Sequence, residues 1–240
     1  MKTLAIISQK GGVGKTTLAT CLAVAAEKDG KQTAIFDLDP QATASFWKDI
    51  RRDDTPAVAS VHAIRLQSMQ KAASETGADL VIIDGAAVAR DVAFEAAKVA
   101  DFVLVPTKAA VFDTMAMTHT LDIVRQCKKP CSIVLTFVPP VGVEIEDAEA
   151  AIAELQATIC PVHIGNRKAY FRAQSTGLAV QEYEPGGKAA SEISDLYKYI
   201  SDFSVFCFQP VLTRVSAHPS MKPRIIQALR RSPWTNGVSS

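Results

Sequence analysis

The sequence predicts an α/β fold, a mostly parallel twisted sheet with helices on both faces. Three observations point there. Short apolar runs recur along the 240-residue chain with helical segments between them, the alternation that builds parallel sheets. A glycine-rich stretch, Lys10-Gly11-Gly12-Val13-Gly14-Lys15-Thr16-Thr17, joins the first apolar run to the first helical segment. Two later runs lead into aspartates, which places carboxylates at the strand ends where open α/β sheets bind ligands.

The first strand is expected within Thr3–Ser8, an apolar run of the kind buried on both faces. The Ala- and Leu-rich segment from Thr16 to about Ala26 reads as a helix. Further strands are expected at Thr33–Asp37, Leu80–Ile83, Phe102–Val105 and Ile133–Phe137. Helices are expected at Ala42–Arg51, Val92–Val99, Thr114–Gln126, Ile145–Thr158 and Ala189–Asp202. Near Ser204 the periodicity stops, and Pro, Ser, Arg and aromatic residues scatter without pattern. The expected division is a domain over residues 1–206 and a partly disordered C-terminal appendage over 207–240.

A formal net charge of +1 gives no bulk attraction to nucleic acid, so any such contact must come from a local basic patch. Five cysteines without a Cys-x-x-Cys pair read as reduced thiols. The four histidines show no metal-ligand spacing. No stretch is long and apolar enough for a transmembrane helix and none reads as a signal peptide, so the expected location is cytoplasmic.

Strand, glycine loop and helix in that order make a phosphate-binding loop credible. The glycines let the backbone curl its N–H groups towards anionic oxygens, and the helix N-terminus adds positive potential at the same spot. Lys15 is expected on the β- and γ-phosphates and the Thr16 hydroxyl on Mg²⁺. Thr17 is expected on the α-phosphate. Downstream, Asp37-Leu38-Asp39-Pro40-Gln41 brings two carboxylates to the ligand edge, sensible beside a triphosphate if a metal or attacking water lies between. One of the pair could instead cap the helix from Ala42. Leu80-Val81-Ile82-Ile83-Asp84 has the form of a Walker B strand whose terminal acid meets a metal-bound water, and Gly85-Ala86-Ala87 follows as a segment able to move.

A strict phosphate loop has glycine where this chain has Gln9. Lys-Gly-Gly-x-Gly-Lys-Thr resembles instead the deviant Walker A loop of the ParA/MinD ATPases, and Asp37–Gln41 resembles the ParA switch I signature. The resemblance covers about residues 1–205 and implies a P-loop NTPase fold of the deviant Walker A type. It implies that Lys10 crosses a dimer interface to the partner's phosphates, that Asp39 activates the hydrolytic water, and that Asp37 and Asp84 support Mg²⁺. Pro106 in Phe102–Thr107 resembles the family's nucleotide-bordering segment, although Lys108-Ala109-Ala110 departs from the family's usual sequence. Thr136–Pro140 resembles its adenine-side loop, with Phe137 either stacked on the base or part of the core. Arg167–Ala173 resembles a late motif near the base. There Arg167, Lys168 and Arg172 around Tyr170 and Phe171 form either a DNA-contacting patch or a solvated helix face.

Because the first strand opens the chain, the resemblance is to small ParA proteins without an N-terminal helix-turn-helix extension. It implies an ATP-dependent sandwich dimer with slow hydrolysis and non-specific, nucleoid-located DNA binding. It also implies a ParB-like or adaptor partner, and plasmid, chromosomal or protein cargo. Met221–Arg231, basic and modestly amphipathic, leaves disorder, DNA assistance or a MinD-like membrane contact open. A P-loop metabolic ligase is the reading that Lys10 and Asp39 disfavour.

Overall fold

Side chains along the strands alternate between two cores. In the computed structural model, which describes residues 1–87, 89–140 and 144–202, β1 (Lys2–Ile6) is followed by α1 (Lys15–Lys28), β2 (Thr33–Asp37) and α2 (Thr43–Ile50). Then come β3 (Ala57–Ser60), a 3₁₀ turn at Ala63–Arg65, α3 (Leu66–Glu75), β4 (Leu80–Asp84) and α4 (Arg90–Val99). The second half holds β5 (Phe102–Lys108), α5 (Val111–Gln126), β6 (Cys131–Val138), α6 (Glu144–Glu154) and β7 (Ile164–Gly165). Three helices close the described chain: α7 (Lys168–Gln174), α8 (Val180–Tyr183) and α9 (Lys188–Asp202).

The seven strands form one sheet in the order β3-β2-β4-β1-β5-β6-β7, with every neighbouring pair parallel. Ala5, Phe36, Ile83, Val103 and Leu135 face one core with Met69, Ala96, Leu121 and Ile152 from α3 to α6. Leu4, Ile6, Ile35, Ile82 and Leu104 face the other with Leu22, Trp47, Tyr170 and Leu196 from α1, α2, α7 and α9. This period-2 division, apolar on both sides, is what a sheet covered by helices on both faces demands.

Each expected strand is present, and β5 runs on to Lys108. Sequence reasoning missed β3, α3, β7 and α8, and gave α7 only as one of two readings of Arg167–Ala173. Strand β3 has four residues and β7 two, too short to show a period. Helix α6 stops at Glu154, ahead of the expected Thr158, because Gln156 turns left-handed at φ 50° and Ile159 bridges to Ile133 of β6. The appendage expected at 207–240, with Met221–Arg231, falls outside the described residues.

Candidate functional site

Strand β1 lies between β4 and β5, so the loop leaving β1 is flanked by the carboxyl ends of both. Gly14 precedes α1 with φ 87° and ψ 20°, a left-handed geometry open to glycine with little strain. No side chain caps α1 and no acid sits in its first turn. Its positive end is therefore left for an anion from outside the chain. Thr136 ties this loop to β6 by donating its hydroxyl to the Val13 carbonyl at 2.9 Å.

Lys15 is buried, and its Nζ donates to the Lys10 carbonyl at 3.2 Å. Burial lowers its pKa, opposed by the nearby Asp84 and Asp39 carboxylates. Asp84 ends β4 opposite Asp37 of β2. Burial, reinforced by Asp37 and Asp39 and opposed by Thr16 and Lys15, holds its pKa at about 7. Thr16 is near enough to favour the anion, yet neither Asp84 carboxylate oxygen has a hydrogen-bond partner among the described residues. An orphaned buried carboxylate is costly unless something else satisfies it.

Asp37 is fully buried and spoken for by its own chain. Its Oδ1 accepts the Asp39 N–H at 3.1 Å, and its Oδ2 accepts both the Ser45 N–H and hydroxyl, at 3.1 and 3.2 Å. Burial still raises its pKa. Asp37 thus folds the 37–45 segment back so that Asp39 faces the loop. Asp39 accepts the Gln41 N–H through Oδ1 at 2.9 Å, and its side chain lines a cavity of about 300 Å³ with Gly11, Gly12, Gly14, Thr16 and Thr17.

The residues fit a magnesium nucleotide. Mg²⁺ prefers hard oxygen donors and keeps several waters, binding through one or two protein ligands plus phosphate. The Thr16 hydroxyl and the unpartnered Asp84 supply that donor chemistry. Among the described residues there is no cluster of three or more His, Cys, Asp or Glu able to hold a metal by itself.

The CobQ/CobB/MinD/ParA nucleotide binding domain matches residues 4–220. The chain belongs to this family. It is 24% identical over 204 residues to maintenance of carboxysome distribution protein A of Halothiobacillus neapolitanus, an alignment covering 79% of this chain and 91% of that one. It is 28% identical over 214 residues to the protein of the same name from Gloeobacter kilaueensis, covering 84% and 93%. Among solved structures, the MinC:MinD cell division protein complex of Aquifex aeolicus superposes with a TM-score of 0.68 at 15% identity, over 82% of this chain and 95% of that one. At that identity the likeness is one of fold.

The remaining family-derived positions fall in three places. Phe137, at φ 52° and 41% exposed, lines the phosphate-side cavity and also a larger one of about 580 Å³ next to it. Arg167 lines that larger, mostly apolar space with Asn166, Tyr170 and Phe171, which has the size of a small-ligand pocket. Its guanidinium is held by Glu192, so its charge is largely spent within the chain, while Phe171 is 79% exposed. Pro106 is buried inside β5 opposite Val134 and lines neither cavity.

Lys10 turns away from the loop: its Nζ lies 3.3 Å from Asp113 Oδ1 on α5. Sequence reasoning missed Asp113 and Thr43, the latter on the wall of the smaller cavity, and it placed Thr136 in the adenine-side segment without its bond to the loop. Thr43 lies just beyond the Asp-x-Asp-Pro-Gln motif and was recoverable from that spacing. Asp113 and Thr136 become neighbours of the loop only through the sheet order.

No helix among the described residues is long and apolar enough to cross a membrane.

Proposed function

We propose that the chain is a ParA-type ATPase that couples ATP to dimerisation. In this reading ATP closes a sandwich dimer, the dimer binds DNA non-specifically on the nucleoid, and a ParB-like or adaptor protein stimulates slow hydrolysis to release it. The cargo is a plasmid, a chromosome region or a protein assembly; the carboxysome-distribution relatives favour the last. The observation that carries the reading is one small cavity lined by the uncapped helix end, Lys15 and Thr16, with the orphaned Asp84 behind it, near enough to Thr16 and Lys15 for both to favour its anion. An anion site and a cation site so placed suit a metal triphosphate.

The residues then divide the work. Lys15 and the loop backbone hold the phosphates, and Thr17 holds the end nearer the sugar. Thr16 and Asp84 would hold Mg²⁺, which when bound neutralises developing phosphate charge. Asp39, aimed by Asp37, orients the attacking water. Lys10, half exposed, is free to exchange Asp113 for the partner's phosphates, and phosphate-dependent exchange of that kind is a population switch.

The test is retention on non-specific DNA with and without ATP, read against salt. Retention that requires ATP and falls steeply as salt rises supports the reading. Retention and oligomeric state both indifferent to ATP would overturn it. The MinD-like membrane alternative rests on Met221–Arg231, outside the described residues, and liposome co-sedimentation with and without 207–240 separates the two.

A further inference from the structure

We propose that Lys108 is a phosphate-binding residue of this site, held beside the loop by Phe137 until a nucleotide enters. The proposal deepens the nucleotide reading above and rests on it.

Lys108 is the last residue of β5, and β5 pairs with β1 on the side away from β4. Leu104 of β5 is level with Ile6, the last residue of β1, as Asp84 of β4 is on the other side, and β5 runs four residues further, carrying Lys108 out beyond the end of β1 where the loop begins. The side chain turns inwards: Nζ lies 4.0 Å from the position a Cβ on Gly12 would take. The same ammonium sits over the Phe137 ring, 4.9 Å from its centroid.

Among the described residues no carboxylate forms a salt bridge with Lys108, whereas Lys10 has Asp113. A cation over a ring at a partly exposed site is held weakly. A charge-assisted bond to phosphate is stronger and shorter, so the ammonium has a reason to leave the ring once an anion arrives.

Phe137 is suited to the holding role. It occupies the left-handed region at φ 52°, strained for a side chain with a Cβ and kept only where surroundings over-determine it. Thr136, the residue before it, pairs with Lys108 in the sheet and bonds to the Val13 carbonyl. The ring comes within 3.3 Å of a Cβ position on Gly14 and lines both cavities. A nucleotide reaching from one cavity to the other must displace the ring, and that motion uncovers Lys108 at the phosphate end.

The experiment measures equilibrium binding of MgATP, MgADP and adenosine to the full chain, to Lys108→Met and to Lys108→Arg, with thermal melts confirming that all three fold. The proposal expects about tenfold weaker ATP and ADP binding for Lys108→Met, unchanged adenosine binding, and recovery of most of the loss in Lys108→Arg. Parent-like ATP and ADP affinity in a folded Lys108→Met overturns it. So does an equal loss for adenosine, which would mark a packing role. A parent chain that binds neither ATP nor ADP overturns the nucleotide reading itself, and this inference with it.

Discussion

Lys10 Nζ stands 3.3 Å from Asp113 Oδ1, so the lysine at the head of the loop is paired within its own subunit. The carboxylate is nearly buried and the lysine half exposed. If Lys10 must cross to a partner, that pair competes with dimerisation. Asp113→Asn should strengthen ATP-dependent dimerisation by about fivefold for each pair released, roughly 30-fold for the two pairs of a symmetric dimer, at ~1 kcal/mol per pair. Sedimentation equilibrium across protein concentrations measures it, and a weaker dimer would mean that Asp113 aids closure instead.

Lys15 and Asp39 separate binding from chemistry. Lys15→Ala should lose ATP binding by about 10²-fold or more, because its buried ammonium lines the phosphate cavity at the helix end and a charge-assisted bond to phosphate is lost with it. Asp39→Ala should bind ATP within a few-fold of the parent and hydrolyse it about 10²-fold more slowly. Single-turnover hydrolysis decides the second, and parent-like turnover would remove Asp39 from the mechanism.

Asp84 makes stability depend on pH in the nucleotide-free chain. Its folded pKa of about 7 lies above the ordinary 3.8, so between those values the unfolded chain releases a proton that the folded chain keeps. Its contribution is present in full below the ordinary value and is lost as pH rises through about 7. Asp84→Asn should therefore gain Tm relative to the parent at pH 8 compared with pH 5. MgATP should narrow the gap by favouring the ionised form. A gap that does not change with pH would mean Asp84 is solvated or already paired.

Arg51, at the end of α2, is buried and donates to both Glu182 oxygens, at 2.8 and 2.7 Å, and to the Gly177 carbonyl at 3.0 Å. Burial alone would raise the Glu182 pKa, but the bonds from Arg51 and the Ala179 N–H lower it overall. Their contribution is complete above the ordinary Glu value and fades as pH falls through the lowered one. Arg51→Met should cost about 3 kcal/mol at neutral pH and less in acid. Chemical denaturation at the two pH values checks it.

The chemistry was more legible in the sequence than the architecture that frames it. Strand, glycine loop and helix are contiguous, so Gly14, Lys15 and Thr16 could be placed from local pattern alone. Asp39 and Asp84 were legible because each follows its own apolar strand. Strand β3, with small residues over one turn's length, and α3, whose Gln, Ser and Lys blur its apolar stripe, carried no comparable signal. Lys108 and Thr136 showed as departures from pattern or as plain strand residues, because their relation to the loop is made by hydrogen bonding between strands. Arg167 looked like free positive charge until Glu192, on a separate helix, closed on it.

Strand β1 pairs with β4 and β5 and not with β2, its successor in the chain. Both walls of the loop are therefore made by residues from the middle of the chain, Asp84 on one side and Lys108 on the other. A fragment ending before β5 would hold every residue of the glycine motif and still lack Lys108 and Phe137 beside it. In the proposed reading, nucleotide affinity reports on assembly of the central sheet, and a growing chain gains its complete site only after β5 and β6 have brought Lys108 and Phe137 to the loop.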